Sequence, residues 1–295
     1  MTNKKNSPRL SVLKTYKLYI GGQFPRTESG RYYTVLDGSG IPLANACLSS
    51  RKDLRDAVSV ARAAFGGWSS RTAYNRGQIL YRMAEVVESR RSEMIGELTS
   101  SGSTTAQAKK EINACIETLV HYAGWCDKFQ QLFSTVNPVA STHFNFSVPE
   151  PMGVVGILVN NEAPLLGLIQ PLAAALAGGN TCVIVAHTDR PLAAISFAEA
   201  LATSDLPGGV VNILTGKHNE LLPWLAGHMD VNALLMSNRD SSAWKESQLA
   251  ATANVKRMVP LNENDALSPY RILDLQEIKT TWHPIENIAP AGGTY

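Results

Sequence analysis

From Gly153 onward the apolar residues fall into short unbroken runs separated by longer amphipathic stretches. The runs GVVGILV (153–159), TCVIVA (181–186), VVNIL (210–214) and VNALLM (231–236) are bounded by turn residues and rich in β-branched side chains, so each predicts a strand. Residues 164–177, 191–203, 219–226 and about 240–251 carry helical patterning between and after them. Gly178 and Gly179 close the first of these helices as a C-terminal cap, and LPGG (206–209) turns into the third strand. Strands apolar on both faces belong in a parallel sheet covered on both sides. The predicted fold class is therefore α/β, a doubly wound, Rossmann-like sheet.

The first half follows a different rhythm. YKLYIGGQF (16–24) and RYYTVLD (31–37) alternate around a Gly/Ser-rich turn, which predicts a hairpin. Ser50 and Asp53 form a capping-box pattern ahead of Leu54, Ala57, Val58, Ala61 and Phe65 at helical spacing. A second helix is expected over about 76–98 and a third over about 105–133, with Cys115 on the buried stripe of the third. These helices form an N-terminal layer. HFNFSVPEP (143–151) is a further alternating strand punctuated by proline.

Composition narrows the classes. With 295 residues, 44% hydrophobic, the chain has enough apolar mass for a sizeable core and is neither disordered nor low-complexity. Charged residues are only 18%, which suggests surface hidden against a partner. The balance of 27 basic against 25 acidic residues favours neither nucleic acid nor an anionic membrane. The start, MTNKKNSPRL, leads into a stretch cut by Lys14 and Lys17, so no signal segment is expected. The most apolar run (163–179) holds two prolines and is too short to span a bilayer, which makes a cytoplasmic location the default. Cys47, Cys115, Cys126 and Cys182 form no CxxC pair, and the six histidines show no ligand spacing, so neither a disulfide framework nor a metal site is expected.

The strand-end loops VNNEAP (159–164), VAHTDRP (185–191), LTGKHN (214–219) and MSNRDSS (236–242) contain neither GxGxxG nor GxxxxGK[ST]. The run VPEPMGVVGILV…LAAALAGGNTCVIV…DLPGGVVNILTG nevertheless resembles the cofactor domain of the NAD(P)-dependent aldehyde dehydrogenase superfamily. KLYIGGQFPRTESGRYYTV and the helix from Arg55 to Arg91 are similar to that family's N-terminal region. HFNFSVPEP resembles the strand that opens its oligomerisation arm, and LQEIKTTWHPI (275–285) its closing strand. The resemblance divides the chain into a cofactor-domain-like unit (1–136 and 151–270), a small β oligomerisation arm (137–150 and 271–285) and a flexible tail (286–295).

The departures from the family matter as much. Its members act through a cysteine nucleophile in a separate catalytic domain, whereas this sequence has no cysteine after Cys182, and only about ten residues part VKRMVPLNEND (255–265) from the closing strand. The resemblance thus implies that the catalytic domain is absent, with no thiolate to form a thiohemiacetal. Glu162 stands at the turn of the family's oxyanion-stabilising Asn, where a carboxylate would repel the charge an amide would bind; Asn161 is adjacent. Val185 and Thr188 replace the Lys and Glu that hold the adenosine ribose, and Asn238, Arg239 and Asp240 replace the turn beneath the pyrophosphate. Glu263 lies near the general-base position without the flanking glycines. No catalytic residue is assigned. Glu162, Val185, Thr188, Asn238 and Arg239 are expected to line a degenerate cleft in which NAD(P) binding is weakened or lost.

Several features also have plainer readings. His187 and Asp189 could form a proton relay with Glu162 but are read as solvated loop residues, and Arg239 as an ion pair with Asp240. Trp125, Trp224 and Trp244 are read as helix packing, Trp282 as part of a dimer face, and Arg90–Arg91 as a solvated helix end. Some double-length members of the superfamily carry a shortened second copy without the catalytic cysteine, and this chain resembles that copy. The expectation is a catalytically silent assembly or regulatory subunit, homo-oligomeric or paired with a full-length aldehyde dehydrogenase. The alternatives are a residual NAD(P)-dependent aldehyde oxidoreductase and a small-molecule binding module using the old nucleotide cleft.

Overall fold

The computed structural model describes residues 12–160, 162–237, 239, 241–261 and 267–285. Its centre is a five-stranded, all-parallel sheet of β6 (Val154–Leu158), β7 (Thr181–Val185), β8 (Val211–Leu214), β9 (Ala233–Met236) and β10 (Arg257–Pro260). The strand order is β10-β9-β6-β7-β8. Four of these strands are those expected from the sequence. The fifth, RMVP, is too short and too proline-limited to stand out from its loop.

Each strand of the sheet divides its side chains between two cores. Val155, Ile157, Cys182, Ile184 and Leu235 face α6 (Leu166–Ala177) and α7 (Leu192–Leu201), and behind them the N-terminal layer. That layer comprises α2 (Ala73–Ser89), α3 (Arg91–Ser100), α4 (Thr105–Ala123) and α5 (Phe129–Phe133). Val154, Leu158, Val183, Val185 and Met236 face α1 (Arg51–Ser69), α8 (His218–Gly227) and α9 (Ser242–Ala251). Burial on both faces is why these runs show no alternation in the sequence.

The capping box forms: the Ser50 hydroxyl accepts from Asp53 N–H at 3.3 Å, and the Asp53 carboxylate accepts from Ser50 N–H at 2.7 Å. Cys115 is fully buried on α4. The second and third predicted helices are each broken in two. Arg90 sits between α2 and α3, where its guanidinium binds Glu93 at 2.9 Å and Glu199 of α7 at 2.5 Å. Arg91 pairs with Glu88 at 2.7 Å, so both arginines of the expected solvated end are engaged in ion pairs.

The predicted N-terminal hairpin is corrected. RYYTVLD pairs not with 16–24 but with PLANAC: β2 (Tyr32–Leu36) is antiparallel to β3 (Pro42–Cys47), and β3 also takes β1 (Thr15–Tyr16) in parallel. The segment after β1 instead reaches the central sheet, where Tyr19 and Ile213 exchange backbone hydrogen bonds of 2.9 and 2.7 Å along the outer edge of β8.

The arm forms a separate antiparallel sheet of β4 (Thr135–Asn137), β5 (His143–Pro151) and β11 (Gln276–Pro284), in the order β11-β5-β4. Ahead of it lies α10 (Tyr270–Leu273). Ile272 and Leu275, grouped with the arm in the sequence reading, are fully buried in the main core. The expected tail, 286–295, lies outside the described residues.

Candidate functional site

The chain leaves β6 through α6 to β7 on one side, but after β8 it crosses back through α8 to place β9 on the other side of β6. The winding therefore reverses at the carboxyl ends of β6 and β9, the place where open α/β sheets take ligands. Asn160, Glu162, Ser237 and Arg239 stand there on loops; Asn161, Asn238, Asp240 and Glu263, all named in the sequence reading, fall outside the described residues.

Glu162 is exposed and borders a cavity of about 510 Å³ between α4 and the start of α6, shared with Gln107, Lys110, Glu111, Leu166 and Arg190. Arg190 donates to the backbone carbonyl of Glu162 and so ties the loop after β7 to the loop after β6. Glu111 was not anticipated. Its carboxylate accepts from Leu165 N–H at 2.8 Å and Leu166 N–H at 3.0 Å, capping α6 from a neighbouring helix. Burial pushes its pKa up, against the pull of those two N–H groups and of Arg190. The sequence did carry a signal for it, since Glu111 shares the i, i+3, i+4, i+7 stripe of α4 with Ala108, Ile112 and Cys115.

The other expected cleft residues separate. Val185 lines no cleft; it is fully buried among Val183, Leu214 and Leu221 under α8. Thr188 donates from its hydroxyl to Gly216 O at 3.3 Å, while its own carbonyl accepts from Tyr33 at 3.0 Å. His187 is held rather than free: its Nδ1 accepts from the N–H groups of Asp189 and Arg190, each at 3.2 Å. Burial, with Arg190 beside it, holds its imidazole below the usual range. Arg239 is exposed, its guanidinium 5.9 Å from the ring centre of Trp244, and the expected pairing with Asp240 lies outside the described residues.

Of the tryptophans, Trp244 is buried as expected, whereas Trp224 is 43% exposed beneath Arg51, whose guanidinium lies 3.8 Å from its ring centre. All four cysteines are buried. Burial raises every thiol, that of Cys126 to about 12 and that of Cys115 well above the ordinary value. A thiol so placed stays protonated and is no nucleophile. Among the described residues no group of three His, Cys, Asp or Glu side chains is placed to hold a metal, and no helix is long and apolar enough to cross a membrane.

The family model described as "Aldehyde dehydrogenase family" matches residues 26–260. The chain belongs to this family. Cytosolic 10-formyltetrahydrofolate dehydrogenase of Xenopus tropicalis is 32% identical over 261 residues, which cover 86% of this chain but 29% of that protein. The human mitochondrial 10-formyltetrahydrofolate dehydrogenase is 30% identical, with 86% and 28% covered. Among solved structures, the NAD+ complex of the Bacillus cereus aldehyde dehydrogenase superposes with a TM-score of 0.78 at 26% identity, covering 83% of this chain and 50% of that one. PnpE from Pseudomonas sp. WBC-3 gives 0.79, also at 26% identity and 50% of its length. This aldehyde dehydrogenase family member therefore spans about half or less of the length of these relatives.

At the described starts of α8 and α9, a hydrogen-bond donor and a charge are already engaged within the chain. The Ser241 hydroxyl accepts from Trp244 N–H at 3.1 Å, occupying a donor at the start of α9 that a pyrophosphate would need. Glu220 places a carboxylate in the first turn of α8, where it pairs with Arg31 at 3.6 Å and Lys217 at 3.9 Å. A Cβ on Gly216 would meet Ser49 N and Leu221 Cδ1 at 3.3 Å, so this glycine serves packing of the chain against itself.

Proposed function

We propose that this chain is a catalytically silent aldehyde dehydrogenase relative that acts as an assembly or regulatory subunit, as a homodimer or alongside a full-length homologue. The observation that carries the reading is the fate of the four cysteines: each is buried and each thiol is pushed toward the protonated form. The family's chemistry requires a thiolate that an aldehyde can reach, and the exposed carboxylate of Glu162 opposes an oxyanion at the position expected to stabilise one. The arm, by contrast, keeps a complete sheet. An arm without chemistry is what a partner subunit needs.

The test has two parts. Purified chain with NAD+ and a panel of aldehydes should form no NADH; any aldehyde-dependent turnover would overturn the reading, and turnover that survives replacement of all four cysteines would point to chemistry outside the family mechanism. Removing residues 277–285, which leaves the buried Ile272 and Leu275 in place, should abolish assembly measured by native mass, and an unchanged mass would also overturn it.

The cavity beside Glu162 supports a second reading as a small-molecule site, since Glu111 and Glu162 share it with Lys110 and Arg190. A thermal shift with a charged small molecule, lost in Glu162→Gln, would favour that reading over assembly.

A further inference from the structure

The groove between α2 and α4 is built around a residue with no side chain. A Cβ on Gly77 would lie 2.9 Å from Ala123 O and 3.7 Å from Cys126 Cβ, so any larger residue there would push the end of α4 off α2. Beside this contact lies a cavity of about 590 Å³. Tyr74 and Tyr81 line it on either side of Gly77, three residues before and four after, and therefore on the same face of the helix. Tyr74 is 72% and Tyr81 52% exposed, and among the described residues neither stacks on another ring or makes a hydrogen bond. Two open aromatic faces thus flank a gap that glycine keeps clear.

The charge of the groove is one-sided. Glu85, Asp127 and Asp205 line it with a single cation, Arg82, and Arg82 is already paired with Glu85 at 2.9 Å. The carboxylates of Asp127 and Asp205 carry no hydrogen bond or ion pair among the described residues. α4 also ends here, which adds the negative pole of a 19-residue helix. Lys128 approaches that end, its Nζ 3.7 Å from where a Cβ on Gly124 would stand, and it pairs with neither aspartate. The cavity beside Glu162 is different in kind, since Lys110 and Arg190 balance Glu111 and Glu162 there.

Spacing then selects the size of the occupant. Residues seven apart on a helix stand about 10.5 Å apart along its axis. A cation held over Gly77 lies about 5 Å along the axis from each tyrosine, inside the roughly 6 Å over which an aromatic face attracts positive charge. A small metal ion keeps its water shell and gains little from such rings. A quaternary ammonium is bulky and weakly hydrated, and its methyl groups fill the gap while its charge meets both faces. We infer that this groove binds a compact quaternary ammonium ion between Tyr74 and Tyr81, with Asp127 and Asp205 supplying the countercharge. The site is independent of the assembly reading. Asp205 stands on the turn between α7 and β8, which puts the groove at the amino ends of the central strands, the opposite end from Glu162.

The experiment is a calorimetric titration of the full chain with choline and with its uncharged tert-butyl isostere. Choline should bind saturably, and the isostere roughly tenfold more weakly or not at all. Tyr74→Leu and Tyr81→Leu each remove a ring face and should each weaken choline roughly fivefold, whereas Tyr74→Phe and Tyr81→Phe should stay within about twofold of the parent. Asp127→Asn with Asp205→Asn should also weaken it, and asparagine tolerates the left-handed backbone of Asp205 at φ +63°. All four positions are exposed, so these variants should keep the parent's circular dichroism. Choline binding without retention on phosphatidylcholine vesicles assigns a free solute, and retention that excess choline reverses assigns the lipid headgroup; either supports the site. No saturation with choline, equal binding of the isostere, or binding unchanged in the double tyrosine-to-leucine variant overturns it.

Discussion

The central sheet and the arm sheet are built from similar residues and meet opposite fates. In β6, β7, β8 and β9 every residue is buried, and the strands are short, parallel and covered by helices. In β11, seven of nine residues are exposed, although the strand is the equal longest in the molecule and carries Ile278 and Trp282. The first sheet is finished within the chain, and the second presents its longest edge to the outside. Where a fold spends its apolar residues on an open edge, that edge is a candidate for contact.

This contrast can be broken from either side. The largest effect is expected in the central sheet: Ile184→Ala removes a fully buried side chain between β7 and the α6–α7 layer and should cost about 2–5 kcal/mol in a denaturant titration. Next comes Asn180, fully buried, whose Oδ1 accepts from Gly153 N–H and whose Nδ2 donates to Leu275 O, both at 3.0 Å. Asn180→Ala leaves that N–H and that carbonyl without this partner and should cost about 1–3 kcal/mol by the same measurement.

A smaller, pH-dependent effect is expected at Lys256, whose ammonium is buried and donates to His228 O and Val231 O at 2.7 Å each. Burial lowers its pKa to about 8. Between about 8 and the ordinary lysine value of about 10.4, the unfolded chain holds a proton the folded chain has released, so stability should rise with pH across that window. Lys256→Met should flatten the rise; an identical pH profile in the variant would assign it elsewhere. The smallest effect belongs to the arm. Trp282→Ser should change the chain's own stability by no more than about 0.5 kcal/mol while reducing assembly, and a large fall in Tm at fixed dilute concentration would mean that the arm is part of the core after all.

How legible each region was follows from the same contrast. The four central strands were readable because a two-sided core demands unbroken β-branched runs, and α1 because its capping box is local. PLANAC was not readable as β3: its alanines, asparagine and leading proline carry little strand preference, and its pairing with β2 and β1 is decided by tertiary contact. The break at Arg90 was hidden for a related reason, since no glycine or proline marks it and its partner Glu199 lies far along the chain. Of the candidate site, Glu162 could be located from its place after a strand, but Val185 could not be recognised as core until α8 was seen to cover it. Glu111 was legible in principle as a charge on an apolar stripe.

The joint between arm and core has a mechanical consequence. Both long strands of the arm meet the core at one amide, because Asn180 grips the chain two residues after β5 and one residue before β11. The intervening Gly153 has φ +133°, and a Cβ there would lie 2.3 Å from Asn232 Oδ1. The arm is thus a lever with almost no slack at its pivot. A nine-residue strand is about 30 Å long, so a pivot error of about 10° would move its tip by about 5 Å, more than one strand spacing. Whatever seats on the arm receives its angle relative to the central sheet from a few side chains at this joint, Asn180 and the buried Gln276 among them, far from the surface it touches.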